Sequence, residues 1–451
     1  MRSSRILRAI IILFLLCSAA FAQQKPKVRA ITAFVKMDPA KMQTIVADAL
    51  RMLRQVRSNL QKAGYEVETL RIATQPFPDY TRGMTRDQAL AFFRDFDQLG
   101  AKEDFLPNVG PAMLDDSDDP AAADLLATAM EHATVLHGTV VVAAEDGVQW
   151  KSIRAAAHVI KRLGESGPAN AGNFNFAAIA MVLPSTPFYP AAYSWGAGHR
   201  FAIATESANI VMEAFAGTGA DPKIAAQRLR AALEPHLKAI ETVALNAEKT
   251  TRWTYAGMDV SPAPLREVSI GTAIENFTGA PFGSSGTLTA AAVVTGVLKN
   301  LNILLTGYSG LMIPILEDAT LSKRWGEGRL TIDDLLAYSS VCGTGLDTIP
   351  LPGDVTEEQL AKIIGDMATL AFRLHKPLSA RLMPIKGKKA GEKAVFNDPY
   401  LVNTTIQPLP KALPHNSTRT KRHGMLIAAT AQRHRRGGCV ARTNPPGNAR
   451  L

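Results

Sequence analysis

Two carboxylates stand in settings that suit chemistry. Thr254 to Pro264 reads T-Y-A-G-M-D-V-S-P-A-P, a strand that runs into a loop carrying Asp259 and Ser261, with two prolines preventing its continuation. Soon after, S-I-G-T-A-I-E-N (Ser269 to Asn276) brings Glu275 into the same region. Acidic groups near strand ends suit general acid/base work or a divalent metal, because the carboxyl ends of parallel strands form the usual site face. Asp259 equally fits a plainer role, capping its own loop.

Next comes P-F-G-S-S-G-T, in which Gly283, Ser284, Ser285, Gly286 and Thr287 open an apolar helix. Backbone N–H groups at a helix start, with hydroxyls beside them, can cradle a phosphate or carboxylate. The turn lacks the lysine of a Walker loop and the glycine spacing of a dinucleotide fold, so it also reads as an ordinary capped turn and no nucleotide cofactor is implied. V-C-G-T-G-L-D-T-I-P-L-P-G-D then packs Cys342, Asp347 and Asp354 into a stretch whose glycines and prolines forbid a regular helix. Cys342 is a nucleophile candidate or a small buried hydrophobe; no neighbouring His or Lys is placed by sequence to activate it. His199 and Glu206 form a conceivable acid/base pair, and Asp115 to Asp119 read as caps rather than as a calcium loop. H-E-x-x-H, C-x-x-C, G-x-S-x-G and Walker A patterns do not occur.

The elements that must hold these residues alternate between two periods. Val28 to Val35 is β-rich; Asp38-Pro39 then supplies an N-cap and an N1 proline for a helix with Met42, Ile45, Val46, Ala49, Leu53, Val56 and Leu60 on one side. Gly64 stops it, and Tyr65 to Thr74 returns as a strand. Further along, the pattern predicts a helix over 121–133, a strand over 139–144, a helix over 153–163, an apolar run over 176–183, a strand over 200–205 and a long helix over 222–247. Strands feeding helices in turn imply a largely parallel α/β sheet, as a barrel or a doubly wound sheet.

With 451 residues, 47% hydrophobic and 20% charged, the chain has the composition of a globular protein. Its formal net charge of +10 gathers at the ends: Arg2, Arg5 and Arg8 at the start, and a stretch from Lys411 onward that is rich in Arg and holds no Asp or Glu. The body is near neutral, so no nucleic-acid partner is expected and the tail over 410–451 reads as a disordered, solvated extension. The three leading arginines, the apolar run from Ala9 to Leu16 and Ala20-Phe21-Ala22 read as a Sec-type signal peptide over 1–22, which predicts export to the periplasm or beyond. No later segment is apolar for long enough to span a bilayer. Neither a linker nor a repeat divides residues 23–409, which are expected to form one domain. Cys342 and Cys439 are expected to be free thiols.

The order Y-A-G-M-D-V-S-P-A-P, P-F-G-S-S-G-T, I-P-I-L-E-D, V-C-G-T-G-L-D and P-G-D, followed by A-R-L-M-P-I-K-G-K-K-A-G (Ala380 to Gly391), resembles the family known as domain of unknown function 711. P-F-Y-P-A-A-Y and F-A-I-A-T-E-S-A-N extend the likeness back to about Phe188. The resemblance implies a β/α barrel of the pyruvate formate-lyase-like type, helices outside and a loop inserted into the barrel, with C-G-T-G a candidate for that loop. It implies no reaction and no catalytic residues. Glycyl radical chemistry is not expected, because an Arg-Val-x-Gly-aromatic radical loop is missing between Ala380 and Leu409.

These readings converge on an exported enzyme acting on a small polar or anionic metabolite. Asp259, Glu275, Cys342 and Asp347 are its catalytic candidates, and Gly283 to Thr287 its anion cradle. A non-catalytic protein that captures a small ligand is the alternative, and an oligomer is compatible with either.

Overall fold

In a computed structural model, residues 25–166 and 171–410 are described. The expected signal peptide, Cys439 and nearly all of the basic tail lie outside them. The alternation read from the sequence appears as strands β1 (Lys27–Phe34), β2 (Val67–Ala73), β3 (Leu106–Pro111), β4 (His137–Ala144), β5 (Gly147–Val148), β6 (Phe176–Ala180), β7 (Arg200–Glu206), β8 (Thr254–Asp259), β9 (Gly345–Pro352) and β10 (Leu378–Ile385). Helices Met42–Lys62, Arg86–Glu103, Ala121–Met130, Trp150–Ser166, Pro222–Thr251, Thr287–Lys299 and Glu357–Leu374 are the longer ones among the described residues. Their ends follow local chemistry. Asp38 caps the turn before the first of them by accepting from Ala40 N, Asp221 accepts from Lys223 N and Ile224 N ahead of Pro222, and capping boxes at Thr85 and Thr356 start two more.

All ten strands join one mixed sheet in the order β8-β7-β1-β2-β3-β4-β6-β10-β9, with β5 hanging from β4. Pairing is parallel from β1 through β2, β3 and β4 to β6, and again within β7–β8 and β10–β9. Two antiparallel seams, β1 with β7 and β6 with β10, separate these groups. Beyond the edges, Leu305 bridges Met258 of β8 and Pro314 bridges Asp347 of β9, both in the parallel sense.

The two faces of the sheet are packed differently. Ile31, Ala33, Leu70, Ile72, Val140 and Val142 join the large apolar core that the helices supply, including Leu50, Leu53, Leu163 and Ile364. On the other face, Ala30, Val141, Ala177, Ile179 and Ala204 meet loop residues instead: Phe188, Ala191, Tyr193, Tyr308 and Met312. The loop carrying Phe188 is tied to the strands by backbone groups that would otherwise be buried unpaired. Thr32 Oγ1 donates to Pro187 O at 2.9 Å, Asn108 Nδ2 to Pro190 O at 2.7 Å, and Ser194 N to Thr74 O at 2.8 Å. Residues 25–409 thus belong to one compact unit.

Candidate functional site

A cavity of about 240 Å³ opens between this loop-covered face and the segments that close over it. Its walls carry charge where the opposite face carries leucine: Arg29 from β1, Arg71 from β2, His137 from β4, Asp347 from β9 and Arg381 from β10, together with Glu317. All six are buried. Ions in such a place persist when they are paired, and most of these are. Arg29 reaches Glu68 at 2.8 Å, Glu206 at 3.1 Å and Glu317 at 3.5 Å. Arg381 holds Glu317 through Nη2 and Asp347 through Nε, the latter at 2.7 Å. Glu317 therefore bridges two arginines.

Arg71 breaks the pattern. Its Nε donates to Thr69 Oγ1 at 3.0 Å, but no carboxylate pairs with it, and its buried Nη1 has no hydrogen-bond partner. Burial, with the charge of Arg29 added, lowers its pKa to about 10, so at neutral pH it is still a cation. Each arginine also lies over an aromatic ring: Arg71 over Tyr189 at 4.8 Å, Arg29 over Tyr400 at 5.3 Å and Arg381 over Phe174 at 4.7 Å. Stacking fixes the guanidinium planes and leaves their edges for hydrogen bonding.

The other titrating groups are tuned by the same burial. His137 is held down to about 3 by desolvation and the neighbouring Arg71 charge, and is neutral. Its Nδ1 lies 2.8 Å from Val135 O, and the ring also has a backbone hydrogen bond to Pro107, so two backbone groups hold the neutral ring. Burial raises Glu317 above the usual carboxylate range, Arg381 and Arg29 opposing the rise while Asp347 adds to it. Among the described residues, no three His, Cys, Asp or Glu side chains converge to hold a metal ion, and no helix is long and apolar enough to cross a membrane.

A family model described as Uncharacterised ACR (DUF711) matches residues 20–398. The chain belongs to the DUF711 family. Its relatives carry the name UPF0210 protein. That of Pyrobaculum aerophilum is 30% identical over 61% of this chain and 62% of its own length. The Pyrobaculum islandicum protein is 28% identical over 81% of this chain and 86% of its own, and the Bifidobacterium animalis protein 28% over 55% and 58%. The matched stretch thus covers less than two thirds of the length of the first and third of these relatives.

Within this DUF711 chain the residues singled out from the sequence separate into two groups. Asp347 lines the cavity on Arg381. The other candidates do not line it. Asp259 ends β8 fully buried and accepts from Ser261 Oγ at 2.6 Å, Ser261 N at 3.1 Å, Ser309 N at 2.9 Å and Tyr308 N at 2.7 Å. Burial raises its pKa against those donors. Glu275 accepts from Phe282 N at 2.8 Å and grips Arg324 at 2.6 and 3.0 Å, so it braces the turn ahead of Gly283 rather than meeting Asp259. In that turn Gly283 N donates to Thr287 Oγ1 at 3.1 Å, Ser284 N to Pro281 O and Thr287 N to Ser284 O, while Ser285 and Gly286 are exposed. Cys342 is a buried free thiol whose carbonyl accepts from Lys376 Nζ. His199 and Glu206 stand at opposite ends of β7, His199 stacked on Trp253 at 4.7 Å and Glu206 paired with Arg29, so they form no acid/base pair and His199 has the structural role that a lone histidine before a strand more often takes. Asp119 and Asp118 accept from Ala121 N and Leu114 N, as caps do.

Sequence reasoning passed over Arg29, Arg71, His137, Glu317 and Arg381. The signal was an arginine interrupting an apolar strand, in V-R-A-I, L-R-I-A and A-R-L-M. An ion in such a run must find a partner inside the fold or wait for a ligand.

Proposed function

We propose that this protein is an enzyme acting on a small anionic metabolite held in the cavity, with Arg71 as the anion anchor and Glu317 as the acid/base group. The observation that carries the reading is Arg71 itself, a buried cation lining the cavity, with a buried Nη1 that has no hydrogen-bond partner and no carboxylate at ion-pair distance. Leaving such a group unpaired costs stability, and a ligand anion would supply the missing partner. Glu317, raised by burial and gripped by two arginines, can hold or release a proton at a fixed position. About 240 Å³ suits a metabolite rather than a drug-sized ligand, whose pockets start at about 300 Å³.

We also propose that the sheet closes as a β/α barrel of the pyruvate formate-lyase-like type, the chain between Leu305 and Pro314 spanning from β8 to β9. Two parallel bridges at its ends and the two antiparallel seams support that reading. The loop inserted into such a barrel would be the one carrying Phe188 to Tyr193, on the strength of its bonds to β1, to β3 and to Thr74 just past β2. Export remains part of the proposal on the leader pattern; N-terminal sequencing of protein recovered from the periplasm should begin at Gln23, and retention of Met1 in a cytoplasmic fraction would refute it.

The central test is a thermal-shift series on the full chain with small carboxylates and inorganic phosphate. An anion at 100 times its dissociation constant should stabilise by about 2.7 kcal/mol. Arg71→Met should abolish that shift, whereas a shift that survives the substitution would remove Arg71 from the site. Glu317→Gln should keep the binding and lose any turnover of the bound anion. Equal turnover with and without the carboxylate would remove Glu317 from the chemistry, and no turnover of any bound anion in the native chain would leave a binding protein.

A further inference from the structure

A second polar atom on the same cavity wall has no partner. Thr344 precedes β9 and is 2% exposed, and its Oγ1 is buried without a hydrogen bond, although the Thr344 carbonyl accepts from Ser379 N and Ser379 Oγ. Arg71 is in β2 and Thr344 stands one residue before β9, strands far apart in the sheet order, yet both residues line one cavity. They differ in kind: one is a permanent cation that only donates, the other a neutral hydroxyl that donates or accepts.

The other two lining arginines already have carboxylate partners. Arg29 has Glu68, Glu206 and Glu317 around it, and Arg381 has Glu317 and Asp347. Of the three lining arginines, Arg71 is the one without a carboxylate at ion-pair distance; Asp398 lines the cavity as a further carboxylate, and on the Thr344 side the nearest charged residue along the strand is the carboxylate Asp347. A second negative charge on a ligand would be brought against Asp347 and Glu317, where like charges repel across a low-dielectric space. A ligand end without polar atoms would leave the Thr344 hydroxyl buried and unpaired.

Resting on the reading of Arg71 above, we infer that the cavity takes a small monocarboxylate with a neutral hydrogen-bonding group, a hydroxyl or carbonyl, at its far end. The carboxylate meets Arg71 and the neutral group meets Thr344. Dicarboxylates of the same length are rejected by Asp347 and Glu317, and plain alkyl carboxylates bind weakly because they leave Thr344 unsatisfied.

Titration calorimetry on the full chain tests this with matched probes: propionate, 3-hydroxypropionate and malonate, then butyrate, 4-hydroxybutyrate and succinate, with inorganic phosphate alongside. In at least one length series the hydroxy acid should bind roughly tenfold tighter than the alkyl acid and than the diacid. Thr344→Val should erase the preference over the alkyl acid, weakening the hydroxy acid and relieving the alkyl acid of the unpaired hydroxyl, and Thr344→Ser should keep it. A hydroxyl preference that persists in Thr344→Val, or a diacid that binds most tightly, overturns the inference. Binding of phosphate or diacids alone, lost in Arg71→Met, would overturn it while leaving Arg71 as the anion anchor. No Arg71-dependent binding by any probe would sink both.

Discussion

Asp259 and Arg71 are both buried, both charged groups on strands of one sheet, and they have opposite fates. Around Asp259 every oxygen is answered, by two donors from Ser261 and by the amides of Tyr308 and Ser309, so the carboxylate fastens the end of β8 to the glycine turn at Gly307. A Cβ at Gly307, whose φ is +62°, would run into Asp259 Oδ2, so the turn and the carboxylate fit only as a pair. Around Arg71 one N–H is answered by Thr69, a ring stacks beneath, and Nη1 is left over. The difference separates a group that the fold consumes from one that it reserves. Composition alone would have ranked them the other way, because acids next to glycines look catalytic and an arginine in a strand does not.

The comparison can be broken most forcefully at Asp259. Asp259→Ala leaves three amides and a hydroxyl without their acceptor and should cost about 4 kcal/mol in urea unfolding, with Asp259→Asn recovering part of it. A loss below about 1 kcal/mol would mean that the clamp is dispensable and would return Asp259 to the catalytic candidates. The charged wall offers an intermediate test through pH. Burial, which Arg29 opposes and Glu68 reinforces, pushes the Glu206 carboxyl up to about 7, whereas an unfolded glutamate titrates near 4.3. Between those values the folded chain holds a proton that the unfolded chain has released. The stabilisation is whole below the lower value and is lost as pH rises through about 7. Unfolding free energies measured from pH 4 to 8 should therefore fall by on the order of 3 kcal/mol more in the native chain than in Glu206→Gln. Parallel profiles would show that Glu206 keeps an ordinary carboxylate in the fold. Smallest, and opposite in sign, is Arg71→Met without ligand. Replacing an unpaired buried cation by an apolar chain of similar length should raise stability by about 1 kcal/mol, and a clear loss would place Arg71 with Asp259 among the structural ions.

Much of the framework is legible in the sequence. Period-2 and period-3.6 patterns mark β1, β2, the helix at Met42–Lys62 and the long helix at Pro222–Thr251 to within a few residues. Two parts are not. The stretch from Thr74 to Ala121 yields no element, although Arg86–Glu103 is a helix whose Phe92, Phe93 and Phe96 are buried and β3 follows it. Gly345–Pro352 reads as an irregular loop because Pro350 and Pro352 lack donors, yet it forms β9 at the edge of the sheet order, paired with β10. The site is less legible than the fold. Glycine turns draw the eye to Asp259 and Gly283, whereas the cavity is built from residues that no single stretch holds: Arg29, Arg71, His137, Glu317 and Arg381 meet through strand order alone. Only Asp347 lies in both sets.

Because Arg29 stands in the first strand of the large sheet and Arg381 in the last strand of that sheet, and Glu317 couples them, the charged wall cannot assemble until almost the whole chain has left the ribosome. Through that interval Arg29 has Glu68 and then Glu206 within reach, while the apolar faces of the early strands and helices can already condense. The charged wall would be the last part of the molecule to come into being, and a chain halted before β10 would carry a core without it.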